Sequence, residues 1–264
     1  MSAHTQCRVC KHALPKPFLD FGMMPLANAF LSSKTECQNE KSFPLAVSAC
    51  ESCGLAQLNY VVPAEQLYRN YIYVSSTSEA VRVHVQALAK MLMERCGLGV
   101  NDLVLEVASN DGTALREFQK LGMRVLGVEP ARNIAAVANE NGVNTVAEFF
   151  NAKTAQDLAE SHGRVPAILA RHVFAHVDDV HDFLNGIQVV LAKEGVFVIE
   201  VPYWGDLVDN VEFDTIYHEH LSYFSLGSLS ELCDRHDLRI VDIERIGLHG
   251  GSVLVFVKHR ESTT

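Results

Sequence analysis

Cys7 and Cys10 form one C-x2-C pair, and Cys50 and Cys53, followed at once by Gly54, form another. Each pair can offer two thiolates from one tight turn, and two pairs make the ligand set of a tetrahedral four-cysteine zinc site. Four thiolates complete the coordination sphere, so the Zn2+ expected here is structural and has no open position for a substrate. The 39 residues between Cys10 and Cys50 exceed the spacing of a compact ribbon, so the intervening chain must loop out and return. Four small core cysteines, or a redox C-x2-C, are the competing readings. Cys37 could substitute as a ligand; Cys96 and Cys233 stand alone and read as core residues.

A second set of residues suits a cofactor. One apolar run ends in Glu106-Val107-Ala108-Ser109-Asn110-Asp111-Gly112 and the next ends in Glu129-Pro130. Glu129, 17 positions after Gly112, can accept hydrogen bonds from two ribose hydroxyls. A dinucleotide site would need G-x-G-x-x-G so that backbone can approach a pyrophosphate. Here Gly112 stands alone, and Glu106 and Asp111 occupy the loop. Carboxylates suit a cationic sulfonium and its amino group and repel a pyrophosphate, so S-adenosylmethionine is the better fit. A turn glycine with incidental carboxylates is the plain alternative. Further on, Glu148-Phe149-Phe150 could flank an adenine with Phe149, or begin a helix with two core phenylalanines.

Histidines make the third set. Arg171-His172-Val173-Phe174-Ala175-His176 follows one apolar run, and Tyr217-His218-Glu219-His220 follows a later one. Imidazole titrates near neutral pH and suits proton removal from a carbon acid. His218 and His220 could instead bind a metal as an H-x-H pair, or the histidines could be structural.

These residues need elements to carry them. Residues 1–63 are rich in Pro and polar residues, a segment too small for a core of its own and suited to a metal staple. Ala64 to Leu98 reads largely helical, with Val81, Val85, Leu88, Leu92 and Cys96 on one face. From Asp102 the pattern alternates. Strands are expected at 103–107, 125–129, 143–146, 167–170 and 195–201, and helices at 113–121, 132–141 and 179–191. Strands apolar on both faces and alternating with helices describe a parallel doubly wound α/β sheet, with ligands beyond the strands' carboxyl ends. Runs at 238–243 and 252–257, joined by a turn with Gly247, Gly250 and Gly251, read as a closing antiparallel pair.

Lys plus Arg is 22 against 32 Asp plus Glu, a net charge of −10, which argues against a nucleic-acid binder and disfavours an anionic membrane. No apolar run reaches the ~20 residues of a membrane helix. Seven cysteines, an odd number, come with no basic or apolar leader, so a cytoplasmic, thiol-reducing setting is expected.

Taken in order, the two cysteine pairs, Tyr71-Ile72-Tyr73-Val74-Ser75-Ser76-Thr77-Ser78, Glu106 to Gly112, Phe174-Ala175-His176 and Tyr217-His218-Glu219-His220-Leu221-Ser222-Tyr223-Phe224-Ser225 resemble the zinc-containing, S-adenosylmethionine-dependent sugar C-methyltransferases. Those enzymes methylate C3 of a nucleotide-linked 4-keto-deoxysugar. The resemblance implies a zinc-binding module over 1–63, a helical connector contributing to the substrate site over 64–99, and a class I methyltransferase, Rossmann-like core over 100–264. It implies a structural zinc on Cys7, Cys10, Cys50 and Cys53. A cofactor site is implied along Glu106, Ala108, Ser109, Asn110, Gly112, Glu129, Pro130 and Phe149. His220 matches the family's proposed base, and Tyr71, His176, Tyr217 and Glu219 match positions around the ketosugar. The family's further Rossmann-like C-terminal domain, which helps hold the nucleotide, has no counterpart before Thr264. Methyl transfer to another small molecule, or a non-catalytic cofactor-binding role, are the alternative expectations.

Overall fold

The computed structural model describes residues 4–247 and 250–263. Residues 1–3, on which the reading of a missing leader begins, residues 248–249 of the Gly-rich turn and residue 264 lie outside the described residues.

Five parallel strands carry the larger sheet: β4 (Leu103–Val107), β5 (Arg124–Val128), β6 (Thr145–Val146), β7 (Val165–Arg171) and β8 (Leu191–Pro202). Two antiparallel strands, β10 (Leu238–Ile246) and β11 (Ser252–His259), close one edge in the order β10-β11-β8-β7-β4-β5-β6. Counted from the first parallel strand, that order is 3-2-1-4-5-7-6, so the switch point falls between β4 and β7.

All five residues of β4 are buried, as expected of a strand covered on both faces. Alternate residues enter opposite cores: Leu103, Leu105 and Val107 join one cluster and Val104 the other. The first core is covered by α5 (Ala152–His162), α6 (Val180–Val190) and α8 (Leu226–Asp234), through Leu158, Phe183, Ile187, Leu229 and Leu232. The second lies under α2 (Glu79–Arg95), α3 (Thr113–Lys120) and α4 (Arg132–Glu140), through Leu88, Leu92, Leu115, Phe118 and Ala138. Ser78 caps α2 by accepting from Val81 N, and its buried Val81, Val85, Leu88 and Leu92 are the face expected from spacing.

Residues 64–98 are largely helical, with one interruption. A short α1 (Ala64–Tyr68) is followed by an extended strap, and helix resumes only at Glu79. Tyr71 to Val74 are aromatic or β-branched, poor helix formers. Asn133 brackets Tyr71, accepting from its N–H and donating to its carbonyl, and so satisfies this backbone from outside. The third parallel strand shrinks to Thr145–Val146, because Val143 packs beneath the loop after β4. Helices α5, α7 (Trp204–Asp209) and α8 were not signalled by apolar periodicity: α5 buries only Ala155 and Leu158.

The N-terminal segment forms a second sheet from β1 (Leu19–Pro25), β2 (Ser42–Ala49) and β3 (Ala56–Leu58). Its fourth strand, β9 (Ser222–Tyr223), comes from the far end of the chain, pairing Tyr223 with Ala56 and Ser222 with Gln57. The sheet therefore crosses the boundary expected at residue 63. Among the described residues no helix is long and apolar enough to cross a membrane.

Candidate functional site

Each cysteine pair is a knuckle closed by one backbone hydrogen bond, Lys11 N to Cys7 O and Gly54 N to Cys50 O. Lys11 (φ 63°) and Gly54 (φ 74°) turn the chain away through the left-handed region. The four Sγ atoms lie within 4.8 Å of one another, with Cys7–Cys53 at 3.5 Å and Cys10–Cys50 at 3.4 Å. Zinc–sulfur bonds of about 2.3 Å place tetrahedral ligands about 3.8 Å apart, so the thiols converge at the right spacing without forming a disulfide. The Cys53 hydrogen bond pulls the Cys7 thiol down to about 5, while the same contact pushes Cys53 up. Among the described residues this is the cluster of three or more metal-type donors that the fold brings together. Cys37 is exposed and outside it, which removes that residue as a substitute ligand.

The expected cofactor loop follows β4 at the switch point. Ala108 (φ 55°), Asn110 (φ 51°) and Gly112 (φ 75°) take left-handed backbone. At Gly112 a Cβ would lie 2.8 Å from Val143, so only glycine fits there. Glu129, at the end of β5 and 5% exposed, accepts Asn110 N at Oε2 and Ala131 N at Oε1, both at 2.9 Å. Burial pushes its carboxyl up, and these two N–H groups oppose the shift. Each oxygen keeps further lone-pair capacity. Ser109 Oγ is buried without a hydrogen-bond partner among the described residues. A buried acid with lone pairs left over, and a buried hydroxyl packed over Gly127 without a partner among the described residues, fit a polar ribose-bearing cofactor here. Asn110 also accepts from Ser75 N and donates to Tyr73 O, which clamps the strap to the loop.

Three residues expected around the cofactor have partners within the fold. Glu106 is fully buried inside β4, paired to Arg171 Nε at 2.8 Å, and burial pushes it up to about 7 against that arginine's pull. Its other oxygen, Oε2, is buried without a hydrogen-bond partner among the described residues. Asp111 accepts from Thr113 N and Oγ1 at the start of α3. Phe149 carries the Arg69 guanidinium 4.5 Å over its ring, while Phe150 turns into the core against Phe183. Pro130 lies between Glu129 and Ala131, whose N–H that acid holds.

The expected substrate residues do converge. His220 Nδ1 is 2.8 Å from Thr215 O and its Nε2 is 3.0 Å from the Tyr217 hydroxyl. A carbonyl only accepts, so Nδ1 carries the proton and Nε2 presents its lone pair. The His176 ring stands edge-on to His220 at 5.0 Å, and its Nδ1 is 3.0 Å from the Tyr68 hydroxyl. Burial, then the neighbouring His220 and His172, push His176 well below the ordinary imidazole value. Tyr71 donates to Glu219 Oε2 at 2.8 Å. Burial and then the nearby Glu219 raise both Tyr71 and Tyr217, so each phenol keeps its proton and can donate. His218 turns away, fully buried against Phe43 O, which removes the H-x-H metal pair.

Sequence reasoning missed three contributors. Asn28 donates to Glu219 Oε1 at 2.7 Å, and Tyr68 meets both His176 and Glu219 O. Neither carries a local signal, since their partners are 108 to 191 residues away. Glu200, fully buried, accepts from His84 and His172. Burial pushes it up, but these hydrogen bonds hold it below the ordinary carboxylate range.

A 3-2-1-4-5-7-6 sheet, with an acid at the end of its second strand and helices on both faces, is the class I S-adenosylmethionine methyltransferase fold. The sequence bears this out: residues 81–243 match the family described as a methyltransferase domain, and residues 7–68 one described as a zinc binding domain. The chain belongs to this methyltransferase-domain family. It is 43% identical over 251 residues to the C-methyltransferase NovU of Streptomyces niveus, across 95% of this chain and 60% of that protein. The chain thus spans about three fifths of that relative's length. Among solved structures, a SAM-dependent methyltransferase from Archaeoglobus fulgidus matches with a TM-score of 0.52 at 19% identity, over 62% of this chain and 72% of that one. The PH0226 protein from Pyrococcus horikoshii matches with a TM-score of 0.57 at 14% identity, over 71% and 94%. At these identities the shared property is the fold.

Proposed function

We propose that the protein is an S-adenosylmethionine-dependent C-methyltransferase, acting at C3 of a nucleotide-linked 4-keto-deoxysugar. The observation that carries the reading is the His220 tautomer, with Nδ1–H on Thr215 O and the Nε2 lone pair toward Tyr217. Oxygen and nitrogen nucleophiles need little help toward a methyl donor, whereas a carbon nucleophile must first be made by removing a proton. A ketone at C4 acidifies the C3 hydrogen, because the electron pair left behind delocalises onto oxygen as an enolate.

His220 Nε2 takes that proton, a step worth about 10²–10⁴ in rate. Tyr71, Tyr217 or His176 donates a hydrogen bond to the developing enolate oxygen. Glu219, gripped by Tyr71 and Asn28, orients the sugar hydroxyls. S-adenosylmethionine, when bound, supplies an electrophilic methyl on sulfonium; Glu129 would hold its ribose, and Ser109 and Asn110 would line its site. The cysteine-bound zinc takes no part in the proton transfer. Four reduced thiols suit a cytoplasmic setting.

The test is deuterium wash-in. A nucleotide-linked 4-keto-6-deoxysugar is incubated with the protein and S-adenosylhomocysteine in heavy water, and label is followed at C3. Exchange that disappears on His220→Asn is the expected result. A protein that binds cofactor but gives no exchange, or exchange that survives His220→Asn, overturns the assignment.

A further inference from the structure

Arg8 stands inside the first cysteine knuckle, between Cys7 and Cys10, with its side chain 2% exposed. A guanidinium buried this deeply usually answers a buried carboxylate. Here one terminal nitrogen donates instead to two main-chain carbonyls, Leu58 O and Leu221 O, each at 3.1 Å. Its Nε donates to the half-exposed Asp178, also at 3.1 Å. Leu221 directly follows His220, and Asp178 lies two residues beyond His176. One side chain of the metal knuckle thus holds a flank of each histidine-bearing segment.

The surrounding bonds reinforce the link. Leu221 N donates to Ala175 O at 2.8 Å, the residue before His176, and Leu58 N donates to Leu221 O at 3.0 Å. Arg8's own N–H donates to Gln57 Oε1 at 2.8 Å, and Gln57 pairs with Ser222 in the smaller sheet. Arginine suits this task, because Nε and one terminal nitrogen donate in fixed directions to three acceptors from three segments, while its other terminal nitrogen is buried without a partner among the described residues.

We propose that Arg8 is a positioning residue that couples the metal knuckle to the two histidine segments, so that loading of the four cysteines sets the relative placement of His176 and His220. The proposal rests on the reading of His220 as the base. Four metal–sulfur bonds at one point fix the knuckle backbone and hence the root of the Arg8 side chain. With the knuckle so held, Arg8 would act on the reaction through alignment while touching no substrate, and misalignment of about 1 Å is enough to cost about 10²-fold in rate.

The experiment compares wild type, Arg8→Gln, Arg8→Lys and Asp178→Ala in the full chain. It measures zinc content, S-adenosylhomocysteine affinity, kcat and KM, and the histidine-ring NMR signals assigned by single substitutions. Arg8→Gln is expected to keep about one zinc per chain and cofactor affinity within about twofold, to shift the His176 and His220 ring signals, and to lower kcat about 10²-fold with KM changed less than about threefold. Arg8→Lys, which can reach the two carbonyls but not all three acceptors, recovers part of the rate. Chelation of zinc from the wild type moves the same ring signals. If Arg8→Gln does not fold, Asp178→Ala at its half-exposed position removes one arm and still shifts the His176 signal. Unmoved ring signals in a folded, zinc-loaded Arg8→Gln protein, or in Asp178→Ala, overturn the proposal. The ring signals need no substrate, so shifted rings in a protein without ketosugar turnover reject the substrate assignment and leave the coupling standing.

Discussion

The cysteine cluster and the histidine cluster share neighbouring ground but are assembled by opposite routes. All four thiols come from residues 7–53, and each pair is shaped by its own turn, with one backbone hydrogen bond and one left-handed residue. The histidine cluster takes Asn28, Tyr68 and Tyr71, His176, and Tyr217 to His220 from four separate stretches. The first is closed: its donors meet at the spacing of a single ion and leave nothing over. The second joins unlike groups, phenols, imidazoles and a carboxylate, by hydrogen bonds that can be exchanged for others. Closed sets of like donors suit structure; sets of unlike donors suit chemistry. The link between them is short, since β9 of the smaller sheet begins two residues after His220.

The comparison can be broken at several points. Replacing His220 with Ala should have the largest effect, lowering turnover about 10²–10⁴-fold while cofactor affinity stays within a few-fold. Steady-state kinetics with cofactor titration checks this, and retained turnover would remove the histidine cluster from the chemistry. Cys50→Ser should release zinc, shown by metal analysis, and cost on the order of 3 kcal/mol, about 6–12 °C in unfolding midpoint. A metal-free wild type of equal stability would make the closed cluster an ordinary core. Glu129→Ala should weaken cofactor binding about 10–100-fold by calorimetry, the value of a hydrogen bond to a charged group. Unchanged affinity would refute its ribose role.

Asn28→Ala should be milder, raising KM about fivefold with little change in kcat, because it removes one of the two grips on Glu219. The smallest effect concerns pH. His176 is pushed below the ordinary 6.5 by burial, so the folded state binds its proton less readily than the unfolded chain does. Its contribution to stability is complete above 6.5 and is lost as pH falls below that value. Replacing His176 with Gln should flatten this acid limb in denaturant titrations at pH 5 to 7.

Legibility followed the reach of the interactions. The face of α2, the buried strand β4 and the two cysteine knuckles repeat within a few residues, so periodicity and spacing reveal them. The strap at residues 71–74 interrupts a largely helical stretch without a local signal, because Asn110 and Asn133, which bond its backbone, come from other elements. Glu106 stands in the strand that the apolar run 103–107 predicts, but the group that holds its carboxylate is not legible there. That group, Arg171, lies 65 residues away.

What the sequence by itself determined was inventory and local form: four thiols in two turns, strands apolar on both faces, an acid after the second strand, and histidines after the fourth and fifth. The tertiary structure alone decided which groups hold the buried carboxylates, which nitrogen of His220 carries the proton, and that the metal module borrows its last strand from the segment beside that histidine. The physical reason is that each of these depends on a hydrogen-bond partner distant in sequence, and only the packed fold supplies the partner.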